Sequence, residues 1–133
     1  MKVVYDRDFH PPAPMIPVTV RVRADDVAHQ AIAKLDSGAD LSGVPRALLE
    51  RVGARPIRVA RAAGFAGELM EVLVYRLDLR IDEAWVDRVE VLATLRPYVL
   101  VGRNVLASFV LRLDGPRGRL ELRRPTRTTA PPV

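Results

Sequence analysis

The sequence has no cysteine, and its 133 residues include only two histidines. Without cysteine the chain can form no disulfide, no thiolate nucleophile and no cysteine-based metal site. His10 and His29 have no second ligand at a metal-binding spacing, so we expect no metal. Serine is also rare, and Ser37, Ser42 and Ser108 show no spacing with a histidine and a carboxylate that would suggest a serine nucleophile. A glycine-rich phosphate loop is missing as well, and no cofactor is expected.

Long apolar stretches are absent too. No window approaches the roughly 18 consecutive apolar residues that a membrane helix needs. Near the start, Lys2 is followed by Asp6, Arg7 and Asp8 rather than by the apolar run of a targeting segment. We therefore expect a soluble, cytoplasmic protein with no membrane partner.

The charge is unbalanced, with 21 lysines and arginines against 16 aspartates and glutamates and a formal net charge of +5. Such an excess can indicate a nucleic-acid partner. Here the basic residues are nearly all arginines scattered along alternating strand positions, and only residues 112–127 are locally basic. Aromatic residues make up 5% of the chain, too few for a surface on which bases stack. No nucleic-acid partner is expected; a basic β-barrel with salt-sensitive nucleic-acid binding is the least favoured alternative.

The length and the 49% hydrophobic composition fit one folded domain. Residues 1–15 include His10-Pro11-Pro12-Ala13-Pro14, in which proline opposes both helix and strand pairing, so this segment is predicted to be an extended arm. The domain proper is predicted at residues 16–124. Residues 125–133 are predicted to be a disordered tail.

Within the domain, apolar residues alternate with polar ones at the period of a β-strand. Val18, Val20 and Val22 show this pattern, and residues 16–23 and 27–35 are predicted to form a hairpin. A helix is predicted over residues 46–52, with Pro45 at its start and Gly53 past its end. Further strands are predicted at residues 57–63, 69–81, 86–92, 98–101, 109–113 and 120–123. Many short strands and little helix predict an all-β fold, a small closed or nearly closed β-barrel with one or two short helices.

One carboxylate stands where a β-rich segment ends. The chain reads Asp36-Ser37-Gly38-Ala39-Asp40 directly after the strand predicted to end at residue 35. By itself an Asp-Ser-Gly tripeptide is typical of a turn in which the aspartate and serine cap local backbone groups. A second feature lies near the end of the domain, where the apolar residues 98–101 lead into Gly102-Arg103-Asn104 and a short helix.

The two features together resemble the retropepsins, the retroviral-type aspartic peptidases. In that family an apolar strand leads to Asp-Thr/Ser-Gly-Ala-Asp, a glycine-tipped hairpin called the flap follows, and Gly-Arg-Asn comes near the end. All three occur here in that order over residues 16–123. The joint pattern specifies residue types at several separated positions, which makes it far more specific than Asp-Ser-Gly alone.

The resemblance implies a role for each matching residue. Asp36 would be the catalytic aspartate, the hydroxyl of Ser37 would bond to the loop of a second chain, and Gly38 would let the substrate backbone approach. Asp40 and Arg103 would form an ion pair that holds the loop. Ala39 and Asn104 complete the loop and its support, and the flap tip would be Gly64, Phe65, Ala66 and Gly67.

What the resemblance implies about function is a homodimeric aspartic endopeptidase. Two copies of Asp36 would share one proton, activate water and hydrolyse a bond in an extended peptide or protein substrate. The main alternative is a catalytically weak or inactive dimer of the same fold that binds peptides or regulates a partner. Subsite residues are expected among apolar side chains of the barrel, namely Leu35, Val59, Leu73, Val99 and Val101. That set suggests cleavage between hydrophobic residues.

Overall fold

The computed structural model describes residues 1–64 and 66–125. Ten strands and two short helices follow one another along the chain. In chain order they are β1 (Lys2–Val4), β2 (Met15–Arg21), β3 (His29–Leu35), β4 (Ser42–Pro45), α1 (Arg46–Val52), β5 (Arg58–Ala63), β6 (Leu69–Ile81), β7 (Ala84–Thr94), β8 (Val99–Val101), α2 (Arg103–Leu106), β9 (Val110–Asp114) and β10 (Arg119–Arg123).

Six strands close into a barrel, in the order β2-β3-β8-β4-β7-β6, because β6 pairs back onto β2. Strand β8 runs parallel to β3 and antiparallel to β4, so it lies between two strands that are neighbours in sequence. The loop that joins β3 to β4 must therefore pass over the end of β8. The sequence-based prediction of an all-β fold with a small closed barrel is confirmed.

The barrel interior is filled by the apolar residues of the alternating pattern. On β2, Ile16, Val18 and Val20 are buried, and on β6, Leu77 and Leu79 are fully buried. Burying each such side chain contributes about 1.5–3 kcal/mol of transfer free energy. The closed shape suits strands that are apolar on one face. Closure turns these faces toward one interior and pairs the backbone edge of β2 with that of β6.

Helix α1 begins and ends as predicted. Pro45 precedes its first residue, and Gly53 follows its last residue in the left-handed conformation with φ of 74°. Leu48 and Leu49 are its buried residues. Strand β4, directly before the helix, was not predicted from the sequence because it is short and its partners, β7 and β8, lie far along the chain.

The first residues differ from the unpaired arm that the sequence suggested. Strand β1 pairs with β10, which also pairs with β9, and the three form a second, small sheet. The amino group of Met1 donates a hydrogen bond to the carbonyl oxygen of Leu122 at 2.9 Å. Proline constrains only residues 11–14, so the β-branched Val3 and Val4 remain free to pair.

The division into an arm, a domain at residues 16–124 and a tail remains a prediction. Of the tail, residues 126–133 lie outside the described residues, so the predicted disorder stays an expectation. In the described part of the chain, no helix is long and apolar enough to cross a membrane.

An ion pair lies at the seam that closes the barrel. Arg21 and Asp78 face each other across β2 and β6, with 3.2 Å between Nε and Oδ2. The other carboxylate oxygen of Asp78 accepts the backbone N–H of Arg88 at 3.0 Å. The guanidinium carbon of Arg21 also lies 3.6 Å from the ring centroid of Trp85. The seam therefore depends on one largely buried carboxylate.

Replacing this carboxylate should loosen the seam. We expect Asp78→Ala to lower the free energy of unfolding by about 2–4 kcal/mol, because it leaves a half-buried guanidinium and a backbone N–H without their acceptor. Urea-induced unfolding measures the loss. Asp87→Ala, at an exposed position on β7, is the matched control and should change stability by less than about 0.5 kcal/mol. Equal effects of the two variants would contradict this role.

Candidate active site

Asp36 lies at the carboxyl end of β3, where the loop of residues 36–41 passes over the end of β8. Its backbone N–H donates to the carbonyl oxygen of Val101 at 2.9 Å, which continues the β3–β8 pairing by one step. Its side chain is partly buried. The carboxylate is thus placed by two central barrel strands, and a site on such rigid elements is held more precisely than one on a free loop.

The residues after Asp36 turn tightly around its carboxylate. The N–H of Gly38 donates to Oδ1 of Asp36 at 3.0 Å, and the N–H of Ala39 donates to the carbonyl oxygen of Asp36 at 3.2 Å. A Cβ on Gly38 would lie 3.3 Å from Oδ1, a tight contact. Among the described residues, Oδ2 has no hydrogen-bond donor. One carboxylate oxygen is fixed by the loop, and the other is open to a ligand or solvent.

Arg103 holds this loop from the opposite side. Its guanidinium forms an ion pair with Asp40 and donates through Nη1 to the carbonyl oxygen of Ser37 at 2.9 Å. Its backbone N–H donates to the carbonyl oxygen of Ala39 at 2.8 Å. Both side chains of the ion pair are more than half exposed, and such pairs contribute about 0–1 kcal/mol to stability. The geometry therefore suits positioning of the loop more than overall stability.

A buried network, which the sequence did not reveal, lies behind the loop. Oδ1 of Asn104 accepts the N–H of Ser42 at 3.0 Å and its hydroxyl at 2.8 Å. The amide nitrogen of Asn104 donates to the carbonyl oxygen of Glu90 at 2.8 Å. The hydroxyl oxygen of Ser42 accepts the N–H of Gly102 at 3.0 Å. A polar residue within the apolar run 41–44 was the available sequence signal for Ser42.

Gly102 is required by close backbone contact. A Cβ at this position would lie 2.8 Å from the carbonyl carbon and oxygen of Leu41 and 2.9 Å from the carbonyl oxygen of Ala39. Since those atoms belong to the backbone, no side-chain movement could relieve the contact. The β3–β4 loop and the start of α2 are therefore packed directly against each other.

The predicted glycine-tipped hairpin is formed by β5 and β6, which pair from Arg58 with Val74 to Ala63 with Leu69. At its turn, Gly64 donates its N–H to the carbonyl oxygen of Glu68 at 2.9 Å, and the Glu68 carboxylate accepts the N–H of Ala66 at 3.1 Å. Phe65 lies outside the described residues. Glu68 is a turn-forming residue that sequence analysis did not identify.

Most of the expected subsite residues lie elsewhere. Leu35, Val99 and Val101 belong to the buried core, with exposed fractions of 7%, 0% and 0%. Their strand phase points them into the barrel and away from the face that carries Asp36. Val59 and Leu73, by contrast, are exposed and face each other across the β5–β6 hairpin. Among the described residues, no group of three histidine, cysteine, aspartate or glutamate side chains could hold a metal ion.

Ser42 provides a test of the buried network. Ser42→Ala removes the acceptor of the Gly102 N–H and a donor to Asn104, and we expect it to lower the free energy of unfolding by about 1–3 kcal/mol. Amide hydrogen exchange should show faster exchange at Gly102 and in the loop of residues 36–41. Ser108→Ala, on a half-buried serine beyond α2, is the matched control and should leave both unchanged. Unaltered exchange in Ser42→Ala would contradict the network's role in loop order.

No protein-family model and no curated protein matches the chain, whereas solved structures do. The protease of Simian Foamy Virus (mac) is 27% identical, covers 68% of this chain and 91% of its own, and superposes with a TM-score of 0.50. The EIAV protease, solved with an inhibitor, is 20% identical over 79% of this chain and 92% of its own, with a TM-score of 0.59.

A third similar structure is a retropepsin-like aspartic protease from Rickettsia conorii. It is 15% identical, covers 92% of this chain and 88% of its own, and has a TM-score of 0.66. In all three cases nearly the whole of the known protein is matched, from 88% to 92% of its length. The resemblance drawn from Asp36-Ser37-Gly38 and Gly102-Arg103-Asn104 is therefore confirmed at the level of the fold: this chain has a retropepsin-like fold.

Proposed function

We propose that the protein is an aspartic endopeptidase that works as a homodimer. The observation that carries the proposal is the position of Asp36, at the end of a central strand, with one carboxylate oxygen held by Gly38 and the other without a donor from residues 1–64 and 66–125. The brace from Arg103 and the similarity to proteases of this fold support it.

A dimer follows from the chemistry. Each chain offers one aspartate of this kind, whereas aspartic proteases use two carboxylates that share a proton because both cannot ionise at close range. The second carboxylate would be the Asp36 of another copy, related by a two-fold axis. In this arrangement the exposed hydroxyl of Ser37 would bond across to the loop of the second copy.

The two carboxylates would act as a general base and a general acid. The ionised one takes a proton from a water molecule held between the loops, and the oxygen of that water attacks the scissile carbonyl carbon. The protonated one donates to the carbonyl oxygen, giving a neutral tetrahedral intermediate whose collapse releases the amine. The chain's own contribution is to position both carboxylates, and neither metal nor covalent intermediate is needed.

The β5–β6 hairpin would act as the flap over the substrate. Its exposed apolar side chains support this role, since such a surface marks a binding site more often than a solvated one. They are Val59, Leu69, Met70 and Leu73. An extended peptide would pair with hairpin backbone groups in the manner of an added strand.

Cleavage should depend on the Asp36 carboxylate. We expect Asp36→Asn to reduce kcat/KM on a proteome-derived peptide library by at least about 10³-fold, because the amide can neither share nor transfer the proton. Asp25→Asn, in the exposed β2–β3 turn, is the control and should cut normally. If Asp36→Asn and Asp25→Asn both bind peptides and neither cuts them, this chain is a peptide-binding dimer of the same fold instead.

Mixing wild type with Asp36→Asn tests whether two chains share one active site. If chains exchange between dimers, an equal mixture of wild type and Asp36→Asn leaves about a quarter of dimers with two Asp36 carboxylates. The mixture should therefore show about a quarter of the activity of an equal mixture of wild type and Asp25→Asn at the same total chain concentration, in which every dimer has two Asp36 carboxylates. Activity that simply follows the amount of wild-type chain would mean that each chain acts alone.

A further inference from the structure

A lysine lies on the same face of β3 as Asp36. Alternate residues of a strand point to the same side, about 6.6–7 Å apart, so Lys34 is the neighbour of Asp36 along that face. The face is outward: Ile32 is 46% exposed and Lys34 is partly buried, whereas the intervening Ala33 and Leu35 are buried in the core.

Two aromatic rings surround the ammonium group of Lys34. Nζ lies 5.2 Å from the ring centroid of Phe9 and 5.8 Å from that of Tyr98. The two rings contact each other edge to face, with 5.7 Å between centroids. Leu100, which pairs with Lys34 across β3 and β8, lies on the same face. Within the described residues, no carboxylate lies within 4 Å of this ammonium group.

Further positive charge continues from this cluster. Nη1 of Arg96 donates to the hydroxyl of Tyr98 at 3.1 Å. Both residues also line a groove of about 590 Å³ that runs past Ile32 to helix α1. The groove is bordered by Arg46 and Arg51 as well, and Glu50 is its one carboxylate in the described part of the chain. The surface that runs from Lys34 through Tyr98 to this groove therefore combines aromatic rings with an excess of cations.

We propose that Lys34, Phe9 and Tyr98 form a subsite that selects a substrate with an aspartate or glutamate within two residues of the scissile bond. This inference rests on the proposed peptidase function. The side chains of an extended peptide alternate with nearly the same spacing as those of β3, so a peptide bond at Asp36 brings a neighbouring side chain to Lys34. A carboxylate there would form a charge-assisted hydrogen bond with the ammonium group, in a site partly shielded from water by the two rings.

The contacts of Lys34 could otherwise serve only to fasten residues 5–14 to the barrel. A cation over aromatic rings contributes about 0.5–1 kcal/mol at an exposed site, which suits such a fastening role. The two roles differ in their response to substrate charge. A fastening lysine affects all peptides alike, whereas a selecting lysine affects only those with a carboxylate at the matching position.

The test uses peptide pairs that differ only by glutamate or glutamine at each position near the cleaved bond. For the wild type, we expect kcat/KM to be about tenfold higher for glutamate at one of these positions, an advantage that shrinks as salt is added. Lys34→Gln should abolish the preference by lowering kcat/KM for the glutamate peptide about tenfold relative to that for the glutamine peptide. Lys34→Glu should reverse the preference, so that a peptide with lysine at this position is cut faster than the glutamate peptide. Phe9→Ala should weaken the preference without abolishing cleavage.

A preference that is absent in the wild type, or that survives Lys34→Gln unchanged, overturns the subsite while leaving the peptidase proposal intact. If the wild type cuts nothing, the peptidase proposal fails, and peptide binding then tests whether the subsite exists. The same peptide pairs, displayed on an array, are then probed with Asp36→Asn and with Asp36→Asn/Lys34→Gln. If Asp36→Asn binds glutamate peptides more tightly than glutamine peptides and Asp36→Asn/Lys34→Gln does not, the subsite is supported. Equal binding of the two peptides by Asp36→Asn, or no detectable binding, rejects it.

Discussion

The packing of Gly102-Arg103-Asn104 against the β3–β4 loop is the constraint on which the site depends. Each of the three residues contributes: Gly102 approaches the backbone of Leu41, Arg103 bonds to the loop carbonyls, and the side-chain amide of Asn104 accepts from Ser42 at the end of the loop. Each contact is modest in energy. Together they hold a loop that would otherwise be free to adopt many conformations, and each fixed residue costs about 1–2 kcal/mol of backbone entropy.

This packing exists because β8 lies between β3 and β4. The crossing brings the ends of two strands to one place and sends the loop over them, so Asp36 can bond to Val101 through its backbone while its side chain faces outward. The barrel, closed by the β2–β6 seam, provides a rigid support. In the proposed dimer, a carboxylate held this way would stay close to its counterpart, whereas a flexible one would move away to reduce repulsion.

The outward face of β3 connects the proposed catalytic residue with the proposed subsite. Asp36 and Lys34 share it, and the aromatic contacts of Lys34 come from residues far away in sequence, one before β2 and one before β8. Residues 5–14 thus belong beside the site even though their prolines suggested a segment apart from it. The β5–β6 hairpin exposes several apolar side chains, whereas the groove beside the Lys34 cluster is rich in arginine, so the two surfaces differ in chemical character.

Local patterns in the sequence were sufficient to predict the strands with clear alternation and helix α1 between Pro45 and Gly53. They were also sufficient to identify Asp36-Ser37-Gly38 and Gly102-Arg103-Asn104 as two features of one fold. Strands β1 and β4 escaped prediction because each has only a few residues and gains its stability from partners distant in the chain. Tertiary structure alone revealed Ser42 under the loop, the turn contacts of Glu68, and the burial of Val99 and Val101. The reason is physical: periodicity reports which residues share a face, but only the closed barrel decides which face looks inward and which distant side chains meet there.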